Sequence, residues 1–346
     1  MTGMDVTVRG AGIFGLSVAW SCVRRGARVR VVDPGGVGAG SSGGIVGALA
    51  PHVPEQWNEK KAFQLESLLM AEALWRDVAA IGGVDAGYAR LGRLQPAEDG
   101  PPLELARARA DSAAQFWGDA ARWEVIPMDE GGPFAPVSPS GWLIRDTLSA
   151  RIHPRRACEA LAAALRVQGV EIVSEAPDCG AVIWATGWQG LAAVTNDAGR
   201  AVGTGVKGQA VLLRHDAGEV PQVFAGGLHV IPHADGTVAV GSTSERDFDD
   251  PTSVDAQADA LVDRAVEALP LLAGAEVVER WAGVRPRARS RAPLLGEWPG
   301  RAGHFLANGG FKIGFGMAPK VGEVMVELVL EGRDTIPEGF RVAASL

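Results

Sequence analysis

Short apolar runs separated by glycines open the chain, and their spacing predicts alternating strands and helices. The run Asp5–Arg9 is rich in β-branched residues, which is typical of a strand. Apolar side chains then recur at helical spacing over residues 16–25 and stop at Gly26, and residues 28–33 have the pattern of a second strand. Strand, helix and strand in this order predict a βαβ unit at the start of the protein.

The same patterns predict longer elements further along the chain. Apolar residues at helical spacing predict helices over residues 62–81, 103–122 and 321–330. Strand-like alternation within residues 87–95, 209–213 and 237–241 predicts a mixed or antiparallel sheet. In the first of these helices we interpret four leucines as core residues rather than cofactor contacts: Leu65, Leu68, Leu69 and Leu74.

The opening unit carries a dinucleotide-binding fingerprint. In Gly10-Ala-Gly12-Ile-Phe-Gly15 the first glycine permits a tight turn, the second lets the backbone approach a pyrophosphate, and the third lets helix and strand pack closely. The helix N-terminus that follows offers free N–H groups to phosphates. Asp33, at the end of the second strand, suits a ribose, which argues against NADP and leaves NAD and FAD open.

A second glycine-rich run follows Asp33, where a nicotinamide-binding domain would normally continue into its next helix. It extends from Gly35 through Ser41 and Ser42 to Gly47. Small residues over this length suit a backbone that lies against a second part of the cofactor, because missing side chains permit close approach. This favours FAD over NAD, and a surface loop is the alternative interpretation.

Composition narrows the class of protein. The chain has 346 residues, 46 of them glycine, and its net charge of −8 without blocks of like charge argues against a nucleic-acid partner. The length predicts about two domains. Cys22, Cys158 and Cys179 are too scattered for a disulfide framework or a zinc site, so we expect a reducing cytoplasm and no metal. The N-terminal residues predict neither a signal peptide nor a membrane span.

Together with further motifs, these segments resemble the D-amino acid oxidase family of FAD-dependent oxidoreductases, and its glycine oxidase branch in particular. The further motifs are residues 41–51, Ile152-His-Pro-Arg155, Ala185-Thr-Gly-Trp188 and Val206-Lys-Gly-Gln209. The C-terminal third has no cysteine for the covalent FAD link of the sarcosine oxidase branch, so the cofactor implied is noncovalent FAD. The resemblance implies FAD contacts from Gly10, Gly12, Ile13, Phe14, Gly15, Asp33, Ser41, Ser42, Gly43, Gly44, Ala48, Leu49, Val173, Ala185, Thr186, Gly187, Trp188, Gly310, Phe311, Lys312, Ile313 and Gly314.

The C-terminal third carries the most specific resemblance. Trp281-Ala-Gly-Val-Arg285-Pro286 resembles the family strand whose arginine holds the substrate carboxylate, and residues 307–319 resemble the final glycine turn and helix that face the flavin. Arg285 is a permanently charged planar fork that suits a carboxylate. A helix that starts at Gly314 would direct its positive dipole at the flavin. A surface arginine in the basic cluster of residues 285–291 is the alternative.

Departures from the family pattern concern the substrate pocket. The family commonly uses tyrosines there, yet the one tyrosine, Tyr88, is far from the expected strands, and His229 stands where a tyrosine often lies. His229 as a hydrogen-bond donor or a packed residue, and His52 as a flavin neighbour or a loop residue, are open alternatives. The pattern does not decide whether His233 touches substrate. Lys312 stands where glycine oxidases often have arginine and keeps the charge without the fork.

The predicted fold class is α/β, with a Rossmann-like FAD-binding domain of the glutathione reductase type and a substrate domain built on a mixed or antiparallel sheet. We expect the FAD-binding domain to be discontinuous and to combine residues 1–75, 150–205 and 285–346. The substrate domain is expected to combine residues 76–149 and 206–284.

The resemblance implies oxidation of the C–N bond of a small amino acid or N-alkyl amino acid. Arg285, aided by Lys312, would hold the carboxylate while hydride passes from Cα to flavin N5, giving an imine and then a keto acid and ammonia. Oxygen or another acceptor would reoxidise the flavin. Alternatives are a D-amino acid dehydrogenase with a non-oxygen acceptor, and a flavoprotein that acts on a macromolecular amine or is a noncatalytic partner. The exact substrate and the oligomeric state, a homo-oligomer included, stay open.

Overall fold

The computed structural model describes residues 4–196 and 198–346. In chain order the strands are β1 (Asp5–Arg9), β2 (Arg28–Val32), β3 (Ala48–Leu49), β4 (Arg93–Pro96), β5 (Trp123–Pro127), β6 (Trp142–Asp146), β7 (Ala150–Arg151), β8 (Glu171–Val173), β9 (Ala181–Trp184), β10 (Gly203–Arg214), β11 (Gln222–Ala225), β12 (Leu228–Pro232), β13 (Thr237–Gly241), β14 (Val277–Ala288), β15 (Leu294–Glu297) and β16 (His304–Asn308). The helices are α1 (Ile13–Arg24), α2 (Glu59–Gly82), α3 (Pro101–Trp117), α4 (Pro154–Val167), α5 (Gly187–Ala193), α6 (Ala256–Ala268) and α7 (Gly314–Glu331).

A six-stranded sheet carries the predicted βαβ unit. Its strand order is β15-β16-β9-β1-β2-β8, parallel except at the β15 edge. β1 and β2 pair in register from Asp5 with Arg28 to Arg9 with Val32, which confirms the unit. Helices α1, α4 and α7 pack on this sheet around a continuous apolar core. The crossover helices cover the parallel strands, as the burial of such strands requires.

An eight-stranded sheet forms the second half of the fold. Its order is β14-β10-β13-β12-β11-β4-β6-β5, antiparallel except for the β11–β4 pair. The predicted strand 237–241 is β13, and residues 209–213 lie within β10. The long β10–β14 pairing sets Val206 opposite Arg285 and Gly208 opposite Gly283. The α/β class with a mixed sheet is therefore confirmed.

The two sheets draw on the segments that the sequence assigned to the two domains. The strands of the six-stranded sheet all fall within residues 1–75, 150–205 and 285–346. The expected boundaries at 205/206 and 284/285 fall inside β10 and β14, because both strands continue from one half of the molecule into the other. The division into two domains stays a prediction.

The prediction of a core position is wrong for one of the four leucines. Leu68 is 3% exposed and belongs to the main apolar core, whereas Leu69 is 38% exposed. Leu65 and Leu74 are partly buried against the same core. The error has a simple cause: each helical residue turns by about 100°, so the neighbour of a central core position points to solvent.

Across residues 4–196 and 198–346, no helix combines the length and apolarity needed to span a bilayer. Within the same residues no cluster of three or more histidine, cysteine or acidic side chains has the arrangement of a metal site.

Candidate active site

A cavity of about 1050 Å³ is lined by residues of both sheets. Ligand sites usually measure roughly 300–1,000 Å³, so this cavity suits a large cofactor together with a small molecule. On one side its wall comes from the ends of β1 and β9 and from the segment after β2. On the other side it comes from β12 and β14. The carboxyl ends of parallel strands are where such sheets bind ligands.

Asp33 marks the acidic end of the cavity. Its Oδ2 accepts a hydrogen bond of 2.7 Å from the Ala11 N–H, and its Oδ1 accepts one of 2.9 Å from the Gly35 N–H. The Asp33 N–H in turn donates to the Val173 carbonyl oxygen at 3.0 Å, although Val173 lies outside the cavity wall. A carboxylate has about four acceptor positions, so Asp33 can hold the glycine loop and still accept from ribose hydroxyls.

The turn before α1 is built for close approach. Gly10 has φ 114° and lies against the Ala185 carbonyl, where any Cβ would collide. Gly12, Ile13 and Phe14 line the cavity, while Gly15 packs behind them against the Gly10 carbonyl. The N-cap residue Gly12 has no side chain to cap α1, so the N–H groups of its first turn, apart from that of Ile13, are left for an anion.

The second glycine-rich run forms one long wall of the cavity. It is therefore not the surface loop of the alternative interpretation. Ser41, Ser42, Gly44 and Ala48 line it. The Ser42 hydroxyl accepts from the Ile13 N–H at 3.0 Å and ties this run to α1. Two predicted contacts in the run lie outside the wall, Gly43 and the fully buried Leu49. Gly43 ends a short 3₁₀ turn and packs against the Gly38 carbonyl. Leu49 follows Ala48 in β3, where successive side chains point to opposite sides.

The turn from β9 into α5 lines the cavity with all four predicted residues: Ala185, Thr186, Gly187 and Trp188. Asn308, which the sequence analysis did not single out, joins them. It is 4% exposed, and its side-chain amide donates to the Gly187 carbonyl at 2.8 Å. The Asn-Gly-Gly order after β16 was the available signal, since asparagine before glycine commonly stabilises a turn.

The start of α7 faces the same cavity. Gly310, Phe311, Lys312 and Gly314 line it, whereas Ile313 is the N-cap residue and points away. No side chain caps this helix. Its first-turn N–H groups and dipole therefore present positive potential to the cavity, as the sequence predicted.

Arg285 lies in the cavity wall on β14, opposite the acidic end. Its Nη2 donates to the carbonyl oxygens of Thr243 at 2.7 Å and Lys207 at 3.0 Å, and its Nη1 donates to the Ser242 hydroxyl at 2.6 Å. Burial lowers the pKa of Arg285 to about 10, and the charge of Glu245 opposes this shift. Arg285 is therefore a charged group held in place at neutral pH, and not the surface arginine of the alternative interpretation.

Lys312 and His229 lie in the wall with Arg285. Partial burial, and then the charge of Arg285, lower the pKa of Lys312. Burial lowers the pKa of His229 to about 3, with Arg93 and Lys312 acting in the same direction. The His229 ring packs on Phe224 at 4.7 Å between centroids, and its Nδ1 is buried without a partner in the described structure. His229 is thus a neutral ring that faces the cavity.

The structure does not bring His52 to the cavity. Its backbone N–H and its ring Nδ1 both contact Oε1 of Gln64 on α2, and burial lowers the pKa of the ring. His233 is also elsewhere, at 2% exposure, with Nε2 at 2.9 Å from the Ile45 carbonyl oxygen. The contact with Gln64, 12 residues further along the chain, holds His52 at α2, and the local sequence could not reveal it.

Trp281, Ser242 and Phe224 are wall residues that the sequence analysis missed. Trp281 had a signal, because alternation along a strand puts it on the same face as Gly283 and Arg285. Ser242 and Phe224 had none, since they reach the cavity only through the pairing of β13 to β10 and of β11 to β12.

An acid that suits a ribose, two uncapped helix N-termini, glycine-lined walls and a cationic far end fit FAD along the length of the cavity. Fold and site together define a flavin-binding oxidoreductase. The model of the family "FAD dependent oxidoreductase" (DAO) matches residues 5–328. The chain belongs to this family and is an FAD-dependent oxidoreductase.

Named relatives agree with this assignment. The chain is similar to glycine oxidase from Pseudomonas putida, with 29% identity over 365 residues that cover 94% of each protein. It is similar to glycine oxidase from Geobacillus kaustophilus, with 26% identity over 386 residues that cover 94% of this chain and 92% of the relative. The crystal structure of glycine oxidase from Geobacillus kaustophilus superposes with a TM-score of 0.84 at 21% identity, covering 99% of both chains.

Proposed function

We propose that the protein oxidises the C–N bond of a small amino acid or N-alkyl amino acid to an imine, which water converts to a keto acid and an amine or ammonia. The observation that carries the proposal is Arg285, a charged guanidinium in the wall of the cavity that fits FAD. The names of the glycine oxidase relatives support the same chemistry. When bound, FAD supplies the electron acceptor for the pair that leaves with the Cα–H.

The residues of the chain bind and orient in this proposal. Of the five N–H donors of Arg285, Nε and both Nη2 hydrogens meet the carbonyls of Val206, Lys207 and Thr243, and one Nη1 hydrogen meets Ser242. The remaining Nη1 hydrogen and the positive charge are available to a carboxylate. Since the guanidinium is held from behind, the carboxylate is held at a fixed place, and orientation of the Cα–H follows from it.

No cavity residue at the substrate end is suited to remove a proton at neutral pH. His229 has a pKa of about 3, so it accepts a proton only in strong acid, and Arg285 and Lys312 are cations. The reactive substrate is therefore the neutral amine, formed by loss of a proton to water. Activity is expected to rise with pH toward the pKa of the substrate amine and to show no step from His229.

The proposal is tested with the purified yellow protein under anaerobic conditions. Glycine, sarcosine, D-alanine and L-proline are added in turn, and loss of the flavin absorbance is followed. Arg285→Met is expected to keep FAD and to lower kcat/KM by about 100-fold or more, because a buried charge-assisted contact is lost. Arg285→Lys keeps the charge and is expected to recover part of the rate. Bleaching of the wild type by none of these compounds and by no dicarboxylic amino acid would overturn the proposal.

The electron acceptor separates an oxidase from a dehydrogenase. With the best substrate in air, hydrogen peroxide equal to the imine formed supports oxygen as acceptor. Slow peroxide formation with fast reduction of an added quinone or dye supports the dehydrogenase alternative.

A further inference from the structure

The charges at the substrate end of the cavity are unbalanced. Arg285 and Lys312 line it, and neither has a carboxylate within 4.0 Å among the ion pairs of the described structure. The other cation in the wall, Arg9, is neutralised by Asp178 at 2.6 Å. Among residues 4–196 and 198–346, Asp33 is the one acid in the wall, and its carboxylate accepts from the N–H groups of Ala11 and Gly35.

The two cations also lie close to one another. The Arg285 guanidinium and the Lys312 ammonium are 5.6 and 5.9 Å from the centroid of the same Phe311 ring. Arg287, which lies outside the cavity wall, is 5.7 Å from the same centroid. Like charges around one partly desolvated ring repel each other and lack full hydration. One substrate carboxylate neutralises one of the two cations that line the cavity, whereas two carboxylates neutralise both.

The two cations differ in how they are held. Arg285 is fixed by Ser242, Thr243 and Lys207, so it defines one carboxylate position. Lys312 is exposed at the cavity and has no hydrogen bond from its ammonium in the described structure, so its flexible stem can follow a second anionic group. Phe224 and the neutral His229 line the same cavity, and they neither repel an anion nor attract a basic side chain.

We infer that the substrate is an amino acid with two carboxylates, one held by Arg285 and the other by Lys312. The second carboxylate belongs either to an N-carboxymethyl group or to a short side chain, because both keep it within a few bonds of the reacting carbon. The inference rests on the proposed function, and the oxidation is the same. Cα loses a hydride to FAD, nitrogen loses a proton to water, and C=N forms.

The test compares each diacid with its neutral amide of equal shape. Iminodiacetate is compared with its monoamide, and D-aspartate with D-asparagine, by the rate of anaerobic flavin bleaching. The diacid of at least one pair is expected to react with kcat/KM about 10- to 100-fold higher, the range of one charge-assisted contact. In Lys312→Met the ratio of diacid to amide is expected to fall to about one, and Lys312→Arg is expected to retain it.

A binding measurement checks the same point without turnover. Succinate and its monoamide succinamate, which carry no amine to oxidise, are titrated into the holoprotein, and the change in the flavin spectrum is recorded. Succinate is expected to bind about 10-fold or more tightly, and Lys312→Met to remove the difference.

Three outcomes are decisive. Amides that react as well as their diacids overturn the inference, and so does Lys312→Met if it lowers both rates equally, because Lys312 then serves the first carboxylate or the cofactor. Bleaching by glycine or sarcosine in either case leaves the proposed function standing. Bleaching by no compound at all rejects the proposed function instead.

Discussion

Gly208 on β10 leaves the space that the side chain of Arg285 on β14 occupies. It lies opposite Gly283 in the β10–β14 pairing, directly beneath the guanidinium of Arg285. A Cβ at Gly208 would lie 2.6 Å from Cζ of Arg285 and would overlap its Nη2. Gly208 is therefore needed to keep Arg285 in position. Its backbone does not require a glycine, because it is ordinary extended strand.

Gly208→Ala is expected to lower kcat/KM by about 10- to 100-fold through displacement of Arg285. Because the collision is with the end of a flexible side chain, the free energy of unfolding is expected to change by less than about 1 kcal/mol. Steady-state kinetics and urea unfolding measure the two effects. Gly339→Ala, where nothing lies within 4 Å of the new methyl, is the control. Unchanged kinetics for Gly208→Ala would falsify the tie between guanidinium position and rate.

At the scale of elements, α4 connects the two sheets through one side chain. Arg155 in its first turn pairs with both oxygens of Glu279 on β14 at 2.8 and 2.6 Å. Its Nε donates to the Gly43 carbonyl at 2.7 Å. Gly43 lies outside the cavity wall but between residues that line it, so Arg155 supports the wall from behind. This gives a physical role to the His-Pro-Arg motif at the start of α4.

Arg155→Met is expected to weaken FAD binding by about 10-fold and to lower stability by about 1–2 kcal/mol, since three charge-assisted hydrogen bonds are lost and the stem is kept. Fluorescence titration of the apoprotein with FAD and thermal unfolding report the two effects. Arg156→Met is the matched control, because its contact with the Asp85 carboxylate is 3.8 Å and largely exposed. Equal FAD affinity in both variants would show that Arg155 does not support the cavity wall.

At the scale of the whole molecule, buried neutral histidines link stability to pH. Burial is the main reason why the pKa is lowered in four histidines: His52, His153, His229 and His233. His233 is lowered to about 4, next to His153 at 4.7 Å between ring centroids. In the unfolded chain these rings take up a proton near pH 6.5, whereas in the folded protein they do so only at lower pH. The unfolded state therefore binds more protons in between.

The free energy of unfolding is expected to be constant above about pH 7 and to fall as pH drops from about 6.5 toward 4.5, by up to about 1.4 kcal/mol per pH unit for each such histidine. Urea unfolding at pH 7.5, 6.5 and 5.5 measures the slope, and this range lies above the titration of ordinary carboxylates, whose pKa values are about 4. His233→Gln can still donate to the Ile45 carbonyl and is expected to reduce the slope. A slope identical to that of the wild type contradicts the role of His233.

Residues close in sequence were predicted well. The turn at Gly10, the place of Asp33 in the cavity wall and the turn at Ala185 follow from motifs whose parts are joined by a few bonds, so local chain geometry brings them together. Predictions that depended on which side a residue faces were weaker, as Ile313 and Leu49 show. The direction in which a side chain points is set by packing against distant elements, and a contiguous motif does not reveal it.

By itself the sequence determined that the cofactor is a dinucleotide, because a βαβ unit with its glycines and acid brings backbone N–H groups to a phosphate. It also determined that Arg285 and Lys312 are cations in family motifs. Only the tertiary structure decided that the two surround one ring, that Ser242 and Thr243 hold the arginine, and that His52 lies elsewhere. Those relations come from strand register and sheet pairing between segments far apart in the chain, where free energy depends on contacts that no local pattern encodes.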